Sequence, residues 1–221
     1  MARKRRRPGG SRPKRRRSEG PVGGMPELPD PRASEGVMQG FVRSLQGGAD
    51  VDTPLAKAQT LVYRAFGEDD EGRRLQLARE ALDLCADCAD AYVLLAEHAP
   101  GRKEALSLYE KGVAAGERAL GPDAFQKAVG RFWGVLETRP YLRARLGLAH
   151  SLWAAGRHDE AVGHLQDMLR LNPHDNQGVR YTLAGFLLLL DRDGHRNSRH
   201  WTRPPRKNSG GRSSAGRPRG K

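Results

Sequence analysis

The segment LRARLGLAHSLWAAGRHDEAVGHLQDMLRLNPHD, residues 142–175, determines the fold that this sequence predicts. It divides into two helical stretches joined by a turn, which Gly156 opens. Small residues at Ala149 and Ala161 let the two helices approach closely. Pro173 ends the second helix because proline cannot continue one. The segment therefore predicts two helices packed as a hairpin.

This hairpin resembles one tetratricopeptide (TPR) unit, a helix–turn–helix repeat of about 34 residues. Leu148 and Ala149 stand at the Leu-Gly pair of that pattern, and Leu152 stands at its Tyr position. Arg145 occupies the position where a large aromatic residue is usual, so one packing position departs from the pattern. Ala161 and Leu165 match the Ala-x3-large pair of the pattern, and Pro173 matches its closing proline. A generic helical hairpin is the alternative interpretation of the same residues.

A second, weaker unit lies upstream. Its first stretch, ADAYVLLAE, carries Tyr92, Leu95 and Ala96 at the same spacing, and its second stretch carries Ala105 and Tyr109. An earlier helix is predicted in DTPLAKAQTLVYRAF, with Asp52 or Thr53 as its N-cap and Pro54 in its first turn. Residues 122–138 predict an inserted helix. We expect about eight helices between residues 53 and 190 and no strand.

The predicted fold class is all-α, with TPR-like helical hairpins stacked as a right-handed solenoid over residues 37–191. A single unit cannot bury its apolar face alone, so stacking on its neighbours is required. Three segments resemble, more specifically, a bacterial TPR family related to the suppressor-of-tumorigenicity proteins: GERALGPDAF, FWGVLETRPYLRAR and LRLNPHDNQGVRY. That resemblance covers roughly residues 25–193. It implies a helical repeat protein, and the family has no established catalytic residues to carry over.

Charge divides the chain into three parts. Residues 1–20 hold ten Lys or Arg and one acid, a net +9, and residues 192–221 hold the same numbers. The remaining 171 residues carry 19 basic and 24 acidic residues, a net −5, so the overall +13 belongs to the two ends. We therefore predict a disordered basic arm and linker over residues 1–36 and a disordered basic tail over residues 192–221.

The N-terminal arm has the composition of a polyanion-binding segment, and it lacks an aromatic residue to stack on bases, so any nucleic-acid binding would ignore sequence. Two other interpretations of the arm are open. It is a nuclear import signal if the cell is eukaryotic, or translation naturally starts at Met25 and the arm is not part of the native protein. The predicted polyanion-binding residues are Arg5, Arg6, Arg7, Arg15, Arg16 and Arg17.

The C-terminal end departs from the resembled family, whose members continue past the equivalent of Asp193 with an acidic helix and further repeats. Here the chain reads GHRNSRHWTRPPRKNSGGRSSAGRPRGK. One hypothesis is truncation by a frameshift near Asp193, and the other is an Arg-rich RNA-binding tail. Under truncation the helix VRYTLAGFLLLL lacks its partner, and it is shorter than the about 20 apolar residues that span a membrane. We then expect self-association through partly exposed apolar residues of that uncapped helix, namely Leu183, Phe186, Leu187 and Leu190.

The first helix of each TPR unit lines a groove, which predicts where a partner binds. A Trp and two Arg on that wall suit an acidic or aromatic-bearing peptide, although Trp153 could equally pack in the core. The predicted groove residues are Arg143, Leu146, His150, Trp153, Gln177 and Arg180.

The sequence predicts no catalytic chemistry. It contains no nucleophile-elbow, phosphate-loop, zinc-protease or dinucleotide-binding motif. Cys85 and Cys88 lack the second pair of ligands that a zinc site requires, so we expect free thiols in a reduced cytoplasmic protein and neither metal nor cofactor. The predicted function is a non-catalytic scaffold or adaptor that binds a protein or peptide segment. Polyanion binding through the basic ends is the alternative.

Overall fold

The computed structural model describes residues 30–45 and 53–201, and every regular element in those residues is helical. The all-α prediction is confirmed for this part of the chain. Two short 3-10 turns, Phe132–Gly134 and Leu136–Thr138, precede the sixth helix. The α-helices are α1 Pro31–Leu45, α2 Pro54–Phe66, α3 Glu71–Leu84, α4 Ala89–Glu97, α5 Arg102–Lys127, α6 Arg139–Ala154, α7 His158–Leu171 and α8 Val179–Trp201.

Successive helices pack in pairs joined by short connections, α2 with α3, α4 with α5 and α6 with α7. Such short connections make the two helices of each pair antiparallel. The first helices of neighbouring pairs also lie in contact, α2 with α4 and α4 with α6. The described residues thus form helical hairpins packed side by side, with α1 and α8 at the two ends of the chain order.

The hairpin predicted from residues 142–175 is the α6–α7 pair. Gly156 lies in the turn with φ of 80°, a left-handed conformation that glycine adopts without a steric penalty. Ala149 and Ala161 are both completely buried, as close helix packing requires. Arg145, at the position where an aromatic residue was expected, instead joins the two helices by donating to Asp167 of α7 at 2.6 Å.

Helix α2 begins where the sequence predicts. Thr53 is its N-cap, with the side-chain oxygen accepting the Ala56 backbone N–H at 3.1 Å, and Pro54 occupies the first turn. The predicted inserted helix over residues 122–138 is not formed as one element. Helix α5 continues past a kink at Gly121 and ends at Lys127, and the two 3-10 turns follow.

The helices at the two ends of the described residues extend beyond residues 37–191. Helix α1 begins at Pro31 rather than after residue 36, and the Asp30 carboxylate accepts the Arg32 backbone N–H in its first turn. The inward-facing polar side chains of α1 find partners far along the chain, which local composition does not reveal. Helix α8 runs to Trp201, past the boundary predicted at residue 191, and no proline interrupts the chain before Pro204.

Two apolar clusters form the core. The first joins α2, α3 and α4 around Val62, Phe66 and Leu77. The second extends from α4 to α8, and the Phe125 and Tyr141 rings meet edge to face within it, with centroids 5.1 Å apart. Helix α4 contributes to both clusters, so it couples the two halves of the molecule.

Helices α5 and α6 approach closely at Gly147. A Cβ atom placed on residue 147 would lie 2.1 Å from the Cε1 atom of the Tyr109 ring, far inside van der Waals contact. The Tyr109 ring therefore occupies the space that glycine leaves. Gly163 on α7 provides a contrast, because a Cβ atom there would meet no atom within 4 Å.

We predict that Gly147→Ala destabilises the protein by about 1–3 kcal/mol, because the Tyr109 ring or the helix must move. The matched change Gly163→Ala should stabilise it by about 0.5–1 kcal/mol through helix propensity alone. Urea unfolding followed by circular dichroism measures both. Equal effects of the two substitutions would contradict the packing argument.

Helix α8 leaves an apolar surface uncovered. Leu183 and Phe186 pack against the second core cluster and are partly buried. Tyr181, Leu187, Leu188 and Leu189 do face solvent. No helix in the described ranges is long and apolar enough to cross a membrane.

We predict that this surface of α8 causes self-association. Leu188 is 66% exposed, and Leu188→Glu should shift the protein toward monomer because a charge resists burial in an apolar contact. Val37→Glu, at an exposed apolar position on α1, is the matched control and should leave the oligomeric state unchanged. Light scattering after size exclusion, over a wide concentration range, measures the mass. A wild-type protein that stays monomeric at high concentration would contradict this prediction.

Candidate functional site

A row of polar side chains crosses the three first helices, one residue from each. Gln59 of α2 donates from Nε2 to Oδ2 of Asp90 on α4 at 2.8 Å. Arg143 of α6 donates from Nε to Oδ1 of Asp90 at 2.8 Å and from Nη2 to Oδ2 at 2.5 Å. We call these three residues the polar row. It ties α2, α4 and α6 together through a single carboxylate.

The polar row is buried, so its charges have to compensate each other. Asp90 is completely buried and the Arg143 side chain is 8% exposed. A carboxylate removed from water is tolerated only when it is paired and hydrogen-bonded, and the two parallel bonds from Arg143 satisfy both of its oxygens. Burial alone would lower the pKa of Arg143, but the charges of Asp90 and Glu35 hold it well above its ordinary value.

Helix α1 lies on this row and adds a second carboxylate to it. The Glu35 carboxylate accepts from Arg143 Nη1 at 2.8 Å and from Arg139 Nη1 at 3.0 Å. At the start of α1, Arg32 forms an ion pair with Glu97 of α4 at 2.7 Å. Its guanidinium also stacks 4.1 Å above the Phe66 ring of α2. One short helix thus contacts side chains of α2, α4 and α6.

The thiol of Cys88 forms the inner end of the same network. It donates to Oε1 of Gln59 at 3.7 Å, and burial together with the charge of Asp90 raises its pKa to about 12. Cys85 and Cys88 are both free. Within the described residues no group of three or more His, Cys, Asp or Glu could hold a metal ion.

A cleft of about 320 Å³ opens beside the polar row. Gln39 of α1 forms one wall, and Glu137 lies exposed beside the opening. The floor is apolar and is contributed by α2, α5 and α6, which would suit an aliphatic or aromatic side chain of a bound segment. The larger apolar and aromatic side chains that line the cleft include Leu55, Tyr63, Leu120 and Tyr141.

The groove residues predicted on α6 share one face of that helix. Arg143, Leu146 and Trp153 are partly covered by other parts of the protein, whereas His150 is exposed. Arg143 pairs with Asp90 of α4 and Glu35 of α1 in the interior, and its side chain is 8% exposed. Leu146 packs on the second core cluster. Trp153 stacks on Phe186 of α8 with ring centroids 3.8 Å apart, and His150 meets the same ring at 6.1 Å.

The remaining two predicted groove residues lie near the start of α8. Gln177 precedes the helix and is therefore in the turn rather than on the groove-lining helix. Arg180 forms an ion pair with Asp175 at 3.1 Å and donates to the Pro173 carbonyl oxygen at 2.9 Å. The predicted polyanion-binding residues, Arg5, Arg6, Arg7, Arg15, Arg16 and Arg17, lie outside the described residues.

Sequence reasoning missed Gln59, Asp90, Glu35 and Arg139 as members of the site. A usable signal existed for Asp90, which lies between Ala89 and Ala91 in the first turn of a largely apolar helix. An acid on the core-facing side of such a helix implies a buried cation elsewhere. No local signal identified Glu35, because its partners on α6 are more than 100 residues away in sequence.

Comparison of the chain with protein-family models, with curated proteins and with solved structures gives no match. The resemblance to TPR proteins and to the family related to the suppressor-of-tumorigenicity proteins therefore stays a prediction from the residues quoted above.

We predict that Asp90→Ala destabilises the protein by about 3–5 kcal/mol, since it leaves the Arg143 guanidinium buried with only part of its charge compensated. Asp87→Ala is the matched control, because Asp87 pairs with Arg118 at the surface and such pairs contribute about 0–1 kcal/mol. Thermal and urea unfolding provide the free energies. A loss below about 1 kcal/mol for Asp90→Ala would show that the polar row does not hold the helices together.

Proposed function

We propose that this chain is a non-catalytic protein-interaction module that acts as a cytoplasmic scaffold or adaptor. In this proposal the hairpins form a TPR-like solenoid, and a segment of a partner protein is held against the face formed by α2, α4 and α6. The partner is a protein or peptide segment, and no cofactor takes part.

One observation carries the proposal. Helix α1 lies across three successive first helices and is held there by side chains from each of them, as a bound segment would be. A face that binds one helix through charged groups and offers an apolar cleft beside it has the composition of a peptide-binding surface. The most buried acid, Asp90, is neutralised by Arg143 and is therefore a poor candidate for a general base.

Polyanion binding through the basic ends is the second candidate function. It is favoured by the charge distribution, since residues 1–20 and 192–221 each carry +9 while the rest of the chain carries −5. Binding of this kind weakens steeply with salt, because each phosphate contact releases counterions from the nucleic acid. The two functions therefore differ in salt dependence and in the part of the chain they require.

Site-directed cross-linking tests the proposed function. A photoreactive residue in place of Glu137, at the opening of the cleft, should capture a discrete protein from nuclease-treated lysate of the host. The same residue in place of Gln166, exposed on the outer helix α7, is the matched control and should not capture it. Mass spectrometry identifies the cross-linked species and its site of attachment.

Identical products at both positions would contradict the proposed function. The alternative, polyanion binding, would be supported if the protein recovers nucleic acid from lysate that has not been treated with nuclease. That recovery should disappear with rising salt, and also when the six N-terminal arginines named above are all changed to Gln. A protein captured only at position 137 and retained in that six-fold variant would place the binding on the helical face.

A further inference from the structure

Two arginines of α6 form a receptor for one carboxylate. Arg139 and Arg143 are four residues apart, so their side chains leave the same face of the helix one turn apart. Each guanidinium donates to a different oxygen of Glu35, at 3.0 Å and 2.8 Å. All three side chains are largely buried, at 8–15% exposed, which makes such charge-assisted bonds strong and geometrically selective.

The charge balance of this receptor depends on the carboxylate of Glu35. With α1 in place, two arginines face two carboxylates, those of Glu35 and Asp90. If α1 left, Asp90 would be the one acid remaining against the two arginines among the described ion pairs. A buried cation without its partner is unfavourable, so the face would bind another carboxylate in place of Glu35.

Helix α1 has little apolar hold on the surface beneath it. Its largest apolar side chains point outward and are 47–77% exposed. An open groove of about 290 Å³ lies between α1 and α2, and beside it the contact is made by small residues, with Gly36 close to Tyr63 and Ala33 on the first core cluster. The ion pairs of Arg32 and Glu35 therefore contribute much of what keeps α1 in place. The outward-facing side chains are Val37, Met38, Phe41 and Leu45.

We propose that Arg139 and Arg143 form a carboxylate-binding site that the chain's own Glu35 occupies, and that a partner protein binds by placing an acidic side chain of a helical segment there in exchange for α1. This inference rests on the proposed function and adds the chemistry of the partner to it. The partner segment carries Glu or Asp where α1 carries Glu35, and its binding releases α1 from the face.

A peptide that copies residues 30–45 is the probe, labelled with a fluorophore and followed by anisotropy against the full-length protein. The tethered α1 competes with it at an effective concentration of the order of millimolar, so the wild-type protein should bind the peptide weakly. Glu35→Gln in the protein weakens this competitor and should tighten binding of the unchanged peptide by at least about tenfold. A peptide that itself carries Glu35→Gln should not show this tighter binding to the Glu35→Gln protein.

Two further variants separate charge from shape. Gly36→Ala in the protein loosens α1 by a steric route, because the new Cβ atom would lie 2.8 Å from Cβ of Tyr63, and it leaves both arginines intact. It should therefore also tighten peptide binding. Arg139→Gln, added to the Glu35→Gln protein, should abolish its tighter peptide binding. Arg170→Gln on the outer helix α7, added to the same protein, should not. Arg143 is left unchanged because its loss would leave Asp90 buried and unpaired.

Circular dichroism shows whether each variant keeps its helices. The inference is overturned if Glu35→Gln and Gly36→Ala bind the peptide no better than wild type, or if Arg139→Gln keeps full affinity. It is also overturned if two copies exchange their α1 helices, seen as a stable dimer that Glu35→Gln dissociates. Peptide exchange without any protein captured at position 137 would leave the carboxylate site standing and remove the proposed function. Capture of a protein at position 137 without peptide exchange would leave the proposed function standing and remove the carboxylate site.

Discussion

The ion pair between Asp90 and Arg143 is the constraint on which the arrangement of the helices depends. A carboxylate with no exposure to water cannot remain charged without a partner, and only Arg143 reaches both of its oxygens in the described structure. Gln59 and Glu35 complete the bonding of the same two groups. Four helices are consequently positioned relative to one another by one buried pair, whose geometry tolerates little displacement.

The apolar core and this polar pair act at the same place. Val93 of α4 belongs to one apolar cluster and Leu94 to the other, and Asp90 precedes both on the same helix. Apolar contacts are not directional, so they would allow the two clusters to slide against each other. The directional bonds from Arg143 remove that freedom, since a shift of α6 along α4 would break two short hydrogen bonds at once.

Local sequence patterns predicted the parts of this fold that depend on local chemistry. The α6–α7 hairpin follows from Gly156, Ala149 and Ala161, and the start of α2 follows from Thr53. The site depends instead on long-range pairing. An arginine such as Arg143 is ordinarily a surface residue, so its burial could be inferred only by knowing that Asp90 faces it. The start of α1 did carry a local signal, since Asp30 and Pro31 repeat the N-cap and first-turn proline of α2, and the sequence prediction missed it.

The orientation of α1 explains why occupation of the face is open to competition. A surface helix normally buries its apolar side, but α1 turns Glu35 inward and leaves Phe41 in water, so it gains little from the hydrophobic effect. A partner helix with the same carboxylate and an apolar inner face would bury more surface in the cleft. It would still have to overcome the effective concentration of the tethered helix, of the order of millimolar. At micromolar abundance it therefore needs about a thousandfold higher intrinsic affinity, and the apolar lining of the cleft beside Gln39 offers surface for such contacts.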